Sequence, residues 1–251
     1  MARQTGIIKL RGTIGDISFY KSTDGHLARA KGGVEAERIA NDPNFQRTRE
    51  NGYEFGRAGK AGKVIRNAIR ILLQNAKDKR VVSRLTKTLV AVTKTDEINE
   101  RGDRTVQDGD LILLEGFDFN LNGKLGATLY ASFQNAYNRV SGAATVSMDP
   151  FSPTVRIAAP LGTTHFKLVS GVAELDFDNE SSNFETDGTA ILPYSAPDTA
   201  AISLSASITP NSGLPVIQVL GVEFYQEVNG QMYPLKNGAY NALAVVLIDQ
   251  V

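Results

Sequence analysis

The sequence predicts an α+β fold in which a small N-terminal β-meander and basic helices precede a C-terminal antiparallel β-sandwich of immunoglobulin-like layout. Three observations carry this. The hydrophobic period changes from helical to two-residue along the chain, the charge changes sign at the same place, and turn residues recur at short intervals through the second half. The 251 residues, 42% hydrophobic and 22% charged, suffice for one large domain or two small ones. They divide into a basic region over 1–94, a charged, turn-rich linker over 95–110 and an acidic sandwich over 111–251.

The meander is expected over Gly6 to Lys31. Ile8 and Leu10 alternate with polar residues, as do Ile17 and Phe19, and Ser22-Thr-Asp-Gly25 supplies an Asp-Gly hairpin turn. Strands this short have little core of their own, so they should lean on a helix, on the C-terminal portion or on another subunit. Asp42-Pro43 predicts a helix start, the aspartate accepting from orphan amides and the proline suiting the first helical position. Gly52, Gly56, Gly59 and Gly62 follow. They read as a loop, since each glycine costs a helix interior about 1 kcal/mol relative to alanine, or else Gly52, Gly56 and Gly59, at spacings of four and three, form a smooth face for close packing of another helix. Over Lys63 to Ala76 the residues Ile65, Ile69, Leu72, Leu73 and Ala76 form one apolar stripe, and Val82, Leu85, Leu89 and Val92 form another over Val81 to Val92. A helical hairpin joined at Asp78-Lys79-Arg80 fits both, and the stripes read as core.

Beyond the linker, strands are expected over Leu111 to Phe119, Leu125 to Phe133, Ala143 to Met148, His165 to Ser170, Val172 to Phe177, Ala201 to Ile208, Val216 to Val228, Gln231 to Leu235 and Tyr240 to Ile248. Ile202 to Ile208 alternates at every step, and Asn229-Gly230 predicts a type I′ hairpin. The last strand is tied into its own sheet or, in an assembly, pairs with a neighbour's edge.

The zero net charge conceals two opposite terms. Met1 to Lys94 carries 20 Lys and Arg against 8 Asp and Glu, or +12, and Thr95 to Val251 carries 7 against 19, or −12. Such an asymmetry marks an interaction surface, unless the halves neutralise each other within one molecule. The absence of cysteine excludes disulfides, thiolate nucleophiles and cysteine metal sites. No secretory core or membrane-length apolar run is present, so cytoplasmic synthesis without membrane insertion is expected, with later release in a particle leaving no sequence mark.

Catalytic chemistry finds little support. His26 and His165 are the only histidines, and neither position suggests a triad or a zinc site. Gly59-Lys-Ala-Gly-Lys63 fails as a phosphate loop, because Arg57 stands where the first glycine belongs and Val64 where Ser or Thr would hold magnesium. Glu174, Asp176, Asp178 and Glu180 alternate; on one strand face they would bind calcium, meet a basic partner or stay solvated. No cofactor is predicted.

Gly-Ile-Ile-Lys-Leu-Arg-Gly-Thr-Ile-Gly-Asp-Ile-Ser-Phe-Tyr-Lys at Gly6 to Lys21 resembles the opening of an uncharacterised family of bacterial proteins of about this length. The likeness continues through Asn41 to Asn51, the glycine-rich basic stretch and Leu220 to Gly230. It implies no activity and no catalytic residue.

The expected function is a non-enzymatic structural subunit that self-assembles into a filament, tube or phage-like particle, with other copies of itself as partners. Its expected interface sets Arg47, Arg49, Arg57, Lys60, Lys63, Arg66, Arg70, Lys77, Arg80 and Arg84 of one copy against Glu174, Asp176, Asp178, Glu180, Glu185 and Asp187 of the next. The alternative is a nucleic-acid-binding or packaging protein using the same basic residues, with Lys79 among them.

Overall fold

The computed structural model describes residues 1–30 and 32–250. The expected meander end, Lys31, and the terminal Val251 lie outside them. The fold is α+β with an antiparallel sandwich in its C-terminal part, as the periodicity predicts.

The first of two compact units is Met1–Arg49. Strands β1 (Ala2–Arg3), β2 (Gly12–Ile14), β3 (Ile17–Ser22) and β4 (Gly25–Ala30) form an antiparallel sheet of order β1-β4-β3-β2. Ser22 pairs with Gly25, which leaves a two-residue loop at Thr23-Asp24, and Gly15 turns β2 into β3 at a φ of 56° that suits glycine. Ile8 and Leu10 do not form the expected strand. The Gln4 side chain intervenes, its Oε1 accepting from Leu10 N at 2.8 Å while its Nε2 donates to Leu27 O at 3.0 Å, so this stretch bonds to a side chain instead of a ladder. Helix α1 (Ala36–Asn41) follows. Asp42 then accepts from Asn44 N at 2.9 Å, ahead of a 3-10 turn over Pro43–Phe45 that runs into α2 (Gln46–Ala68). Arg49 ties α1 down by donating to Ile39 O and Asp42 O. No described residue from Met1 to Arg49 is buried.

The second unit is Glu50–Val251. Here α2, α3 (Arg70–Leu73) and α4 (Val81–Thr93) form a helical layer. The glycines do not break α2. Gly62 lies against Leu89 Cδ1, which a Cβ would meet at 3.2 Å, whereas a Cβ at Gly52, Gly56 or Gly59 would meet nothing within 4 Å. The core stripe of α4 is Val81, Leu85, Leu89 and Val92; Val82, expected inside, is 51% exposed. Residue 81 lies four before Leu85, one turn away on the same face, whereas 82 is rotated off it.

Short helices α5 (Leu125–Thr128) and α6 (Pro153–Arg156) punctuate the strands β5 (Gln134–Asn138), β6 (Ala143–Met148), β7 (His165–Asp176), β8 (Ser181–Gly188), β9 (Leu192–Pro193), β10 (Ile202–Ser207), β11 (Val216–Val228), β12 (Gln231–Pro234) and β13 (Ala242–Asp249). β7 and β11 pair over ten residues at the centre of a six-stranded sheet. β12 and β13 share the outer side of β11, and β8 and β9 share that of β7. The other sheet is β10-β6-β5. Side chains alternate across the large sheet. Val169, Ala173, Ile217, Val219 and Leu243 face α2 and α4, while Phe166, Leu168, Leu220, Val222 and Phe224 face Val146, Met148, Ile202 and Leu204 of the small sheet. The result is three layers, helices on sheet on sheet, and a central sheet buried on both faces reads as a continuous apolar run.

Two expected strands are turns. Leu111 to Phe119 opens as a 3-10 turn over Leu111–Leu114 because Asp110 caps it, accepting from Ile112 N at 3.0 Å. Leu125 to Phe133 opens as α5, where the Asp118 carboxylate accepts from Leu125 N. The segment 95–110 is knitted into the core: Asp96 and Val106 are buried, and a Cβ on Gly109 would meet Val92 O at 2.3 Å. One apolar cluster spans Ala58 to Val245, so the helices of 50–94 and the sandwich share a core. β13 is tied into its own sheet through β11. Asn229 and Gly230 both have positive φ, as a type I′ turn requires.

Candidate assembly surface

The residues expected at an interface separate into three groups. The first meets within the chain. Glu180, in the turn after β7, pairs with Lys60 at 3.2 Å and Lys63 at 3.4 Å on α2, and these ammonium groups hold its carboxyl below the usual range. A small cleft of about 200 Å³ lies here, flanked by Arg57, Thr105 and Asp178. The basic and acidic halves thus touch inside one molecule.

The second group is committed to structure. Arg57 donates to Gly102 O and Arg104 O and so holds the loop after α4. Arg84 pairs with Asp78 at 2.5 Å, donates to Asp118 O and lies 5.0 Å from the centre of the Phe117 ring. Glu174 is 7% exposed and accepts from Ser212 Oγ, so it does not belong to an acidic surface. Asp176 accepts from Asn179, which lowers its pKa, and Asp187 accepts from Ser205 N at 2.9 Å across the seam between β8 and β10. The expected single acidic face fails because β7 ends at Asp176 and the chain turns before Asp178 and Glu180.

The third group is solvent-facing. Arg47 is exposed in the first unit, whereas Arg49 is half-buried and committed to the carbonyls of Ile39 and Asp42. In the second, Arg70, Lys77, Arg80, Asp178 and Glu185 are exposed and Arg66 is half-buried. None of these residues forms an ion pair among the described residues.

Sequence reasoning missed a groove of about 850 Å³ between α2 and α4. Phe55, Gly59, Val82 and Val90 line its apolar part, with Phe55 60% exposed. Arg66, Lys79, Lys87 and Lys94 surround it, with no acidic residue and no ion pair among them. The sequence did carry its signal: 79, 82, 83, 86, 87, 90, 91 and 94 repeat at spacings of three and one, a second stripe on α4 beside the core stripe.

Other features answer to structure. Glu223 is buried with both oxygens occupied, by Asn75 Nδ2 at 2.8 Å and Tyr225 Oη at 2.6 Å; burial, then the Glu223 bond and charge, push the Tyr225 phenol up. Thr164, His165 and Glu227 come nearest to a hydrolytic set. His165 Nδ1 lies 3.0 Å from Thr164 Oγ1, but Glu227 stands 3.9 Å from Nε2 and its backbone N–H already donates to that hydroxyl. His26 lies on β4, where burial and then Lys21, Arg11 and Lys9 lower its pKa. A cleft of about 490 Å³ by β8 and β10 offers Asp187 and Asp198 as its titratable groups. Among the described residues no cluster of three His, Asp or Glu could hold a metal, and no helix is long and apolar enough to cross a membrane.

Compared with protein-family models, with curated proteins and with solved structures, the chain matches none.

Proposed function

We propose that this chain is a non-enzymatic structural subunit that assembles with copies of itself into a filament, tube or phage-like particle. The observation that carries the reading is the first unit. It forms four strands with defined register, yet none of its described residues is buried. Met1, Ile7, Ile8, Ile14 and Ile17 are all exposed there. A module of 49 residues is small enough that a core of its own is marginal, and large apolar side chains left exposed in it are open to a partner. A neighbouring copy supplies the missing core.

Charge supports the same reading. The solvent-facing arginines and lysines of the helical layer and the excess of acid beyond Thr95 attract one another between copies, while apolar contact supplies most of the affinity. Nucleic-acid binding by Arg66, Arg70, Lys77, Lys79 and Arg80 is the second reading, favoured by their lack of ion pairs.

The test is light scattering with negative-stain microscopy on the full chain over a range of salt and protein concentration. Regular particles are expected from the native chain, and their loss when Ile7, Ile8 and Ile14 are all changed to Ser. A monodisperse monomer under every condition would sink the proposal. Charge reversal at Asp178 and Glu185 separates the two readings, since it weakens assembly but leaves or raises affinity for nucleic acid.

A further inference from the structure

We infer that the groove between α2 and α4 receives the aliphatic knob Ile112-Leu113 of a second copy, a contact that rests on the assembly reading above and gives it an address. The groove combines two chemistries. Val82, Val90 and Phe55 make an apolar floor, and the unpaired ammonium groups of Lys79, Lys87 and Lys94 rim it. A phosphate backbone would use the rim and leave the floor in water. An aliphatic side chain flanked by carboxylates uses both.

The chain carries such a group. In the 3-10 turn Leu111–Leu114 the outer leucines are buried, while Ile112 is 55% and Leu113 is 45% exposed. The buried pair and the Asp110 cap fix the turn, so little ordering cost attends docking. Asp110 and Glu115 flank the knob, both exposed and neither in an ion pair among the described residues. Ile7 and Ile8 are exposed too, but Lys9 and Arg11 beside them carry the wrong sign for this rim. Knob and groove are different patches, so the contact is of the kind that closes rings or propagates.

A charge-swap complementation on the full chain, followed by sedimentation velocity at low salt, tests the pairing. Lys87→Glu and Glu115→Lys should each weaken self-association at least tenfold, and an equimolar mixture should recover it, because each copy then offers one native and one reversed contact. Gly59→Leu fills the groove at a position where a Cβ meets nothing within 4 Å, so it should weaken association without lowering the melting temperature. If the native chain associates but neither swap matters, or the mixture does not recover, the knob-in-groove contact is wrong while the assembly reading stands. The contact is equally wrong if Ile98→Ser, a change at an exposed isoleucine outside the knob, abolishes association and Ile112→Ser does not. A native chain that stays monomeric, whether or not the groove holds DNA or anionic vesicles, overturns both.

Discussion

The two units obey the same backbone rules and differ in what lies behind the backbone. In the second, β7 and β11 are paired on both sides and covered on both faces, with Phe166 and Phe224 fully enclosed. In the first, four strands are just as clearly paired and Gly15 and Gly25 serve its turns, yet no described residue is buried. Hydrogen bonds and turn chemistry specify shape, each bond contributing about 1 kcal/mol net, whereas burial supplies most of the stability. A unit with shape and no core therefore draws little stability from its own packing.

Paired truncations give the largest expected contrast. Phe224→Ala removes an enclosed ring between the two sheets and should cost about 3–5 kcal/mol in urea unfolding of the monomer. Ile17→Ala, at a half-exposed position in β3, should move the same transition by no more than about 0.5 kcal/mol. Equal costs would mean that the first unit shares the cooperative core, and the comparison would fail.

Acid unfolding sharpens it next. Burial pushes the Asp96 carboxyl up, but the Thr105 N–H, the Asn99 side chain and the Asn99 and Ile98 N–H groups prevail and hold it at about 2, against 3.8 ordinarily. A depressed carboxyl contributes stability that is present above its unfolded pKa and is lost as pH falls through the folded one. The melting temperature should therefore drop between about pH 4 and pH 2, with a contribution on the order of 1 kcal/mol after solvent screening. Asp96→Asn should flatten this limb and lower stability at neutral pH. Asp42 in the first unit is also depressed, by the Asn44 N–H and then Arg38, yet Asp42→Asn should leave the main transition unmoved because that carboxyl supports no core.

The sandwich was legible where period and turn agreed. Ala143 to Met148 and Val216 to Val228 were read to the residue, and Asn229-Gly230 fixed a hairpin. β8 was not, because Ser-Ser-Asn-Phe-Glu-Thr-Asp-Gly reads as a loop. It is a strand because β7 presents a free edge and Gly171 leaves room for the Phe184 ring. The false strand at Leu111 arose because four consecutive apolar residues have no decisive period, and the Asp110 cap decided for a turn. The placement of the acidic residues was not legible for a related reason. Strand alternation was carried past Asp176, where the chain turns, and Glu174 could not be recognised as buried without its partner, Ser212, 38 residues away. The groove was hidden because a single apolar stripe on α4 satisfies the sequence pattern, and Val82 fits that stripe by spacing alone although it is exposed.

The smallest effect concerns glycines, and it separates the units by sign. Gly56 lies inside α2 with open space where a Cβ would sit, so Gly56→Ala should stabilise the second unit by about 0.5–1 kcal/mol and raise its melting temperature by roughly 1–4 °C. Gly15 also has open space around it, but its φ of 56° makes the same change unfavourable, and Gly15→Ala should loosen the β2–β3 turn without moving the main transition. Calorimetry reads the first change and amide exchange of β2 and β3 the second. A rise at Gly56 accompanied by unchanged exchange at Gly15 would mean that the first unit's turns are held by contacts beyond their own strands, as the proposed assembly would require.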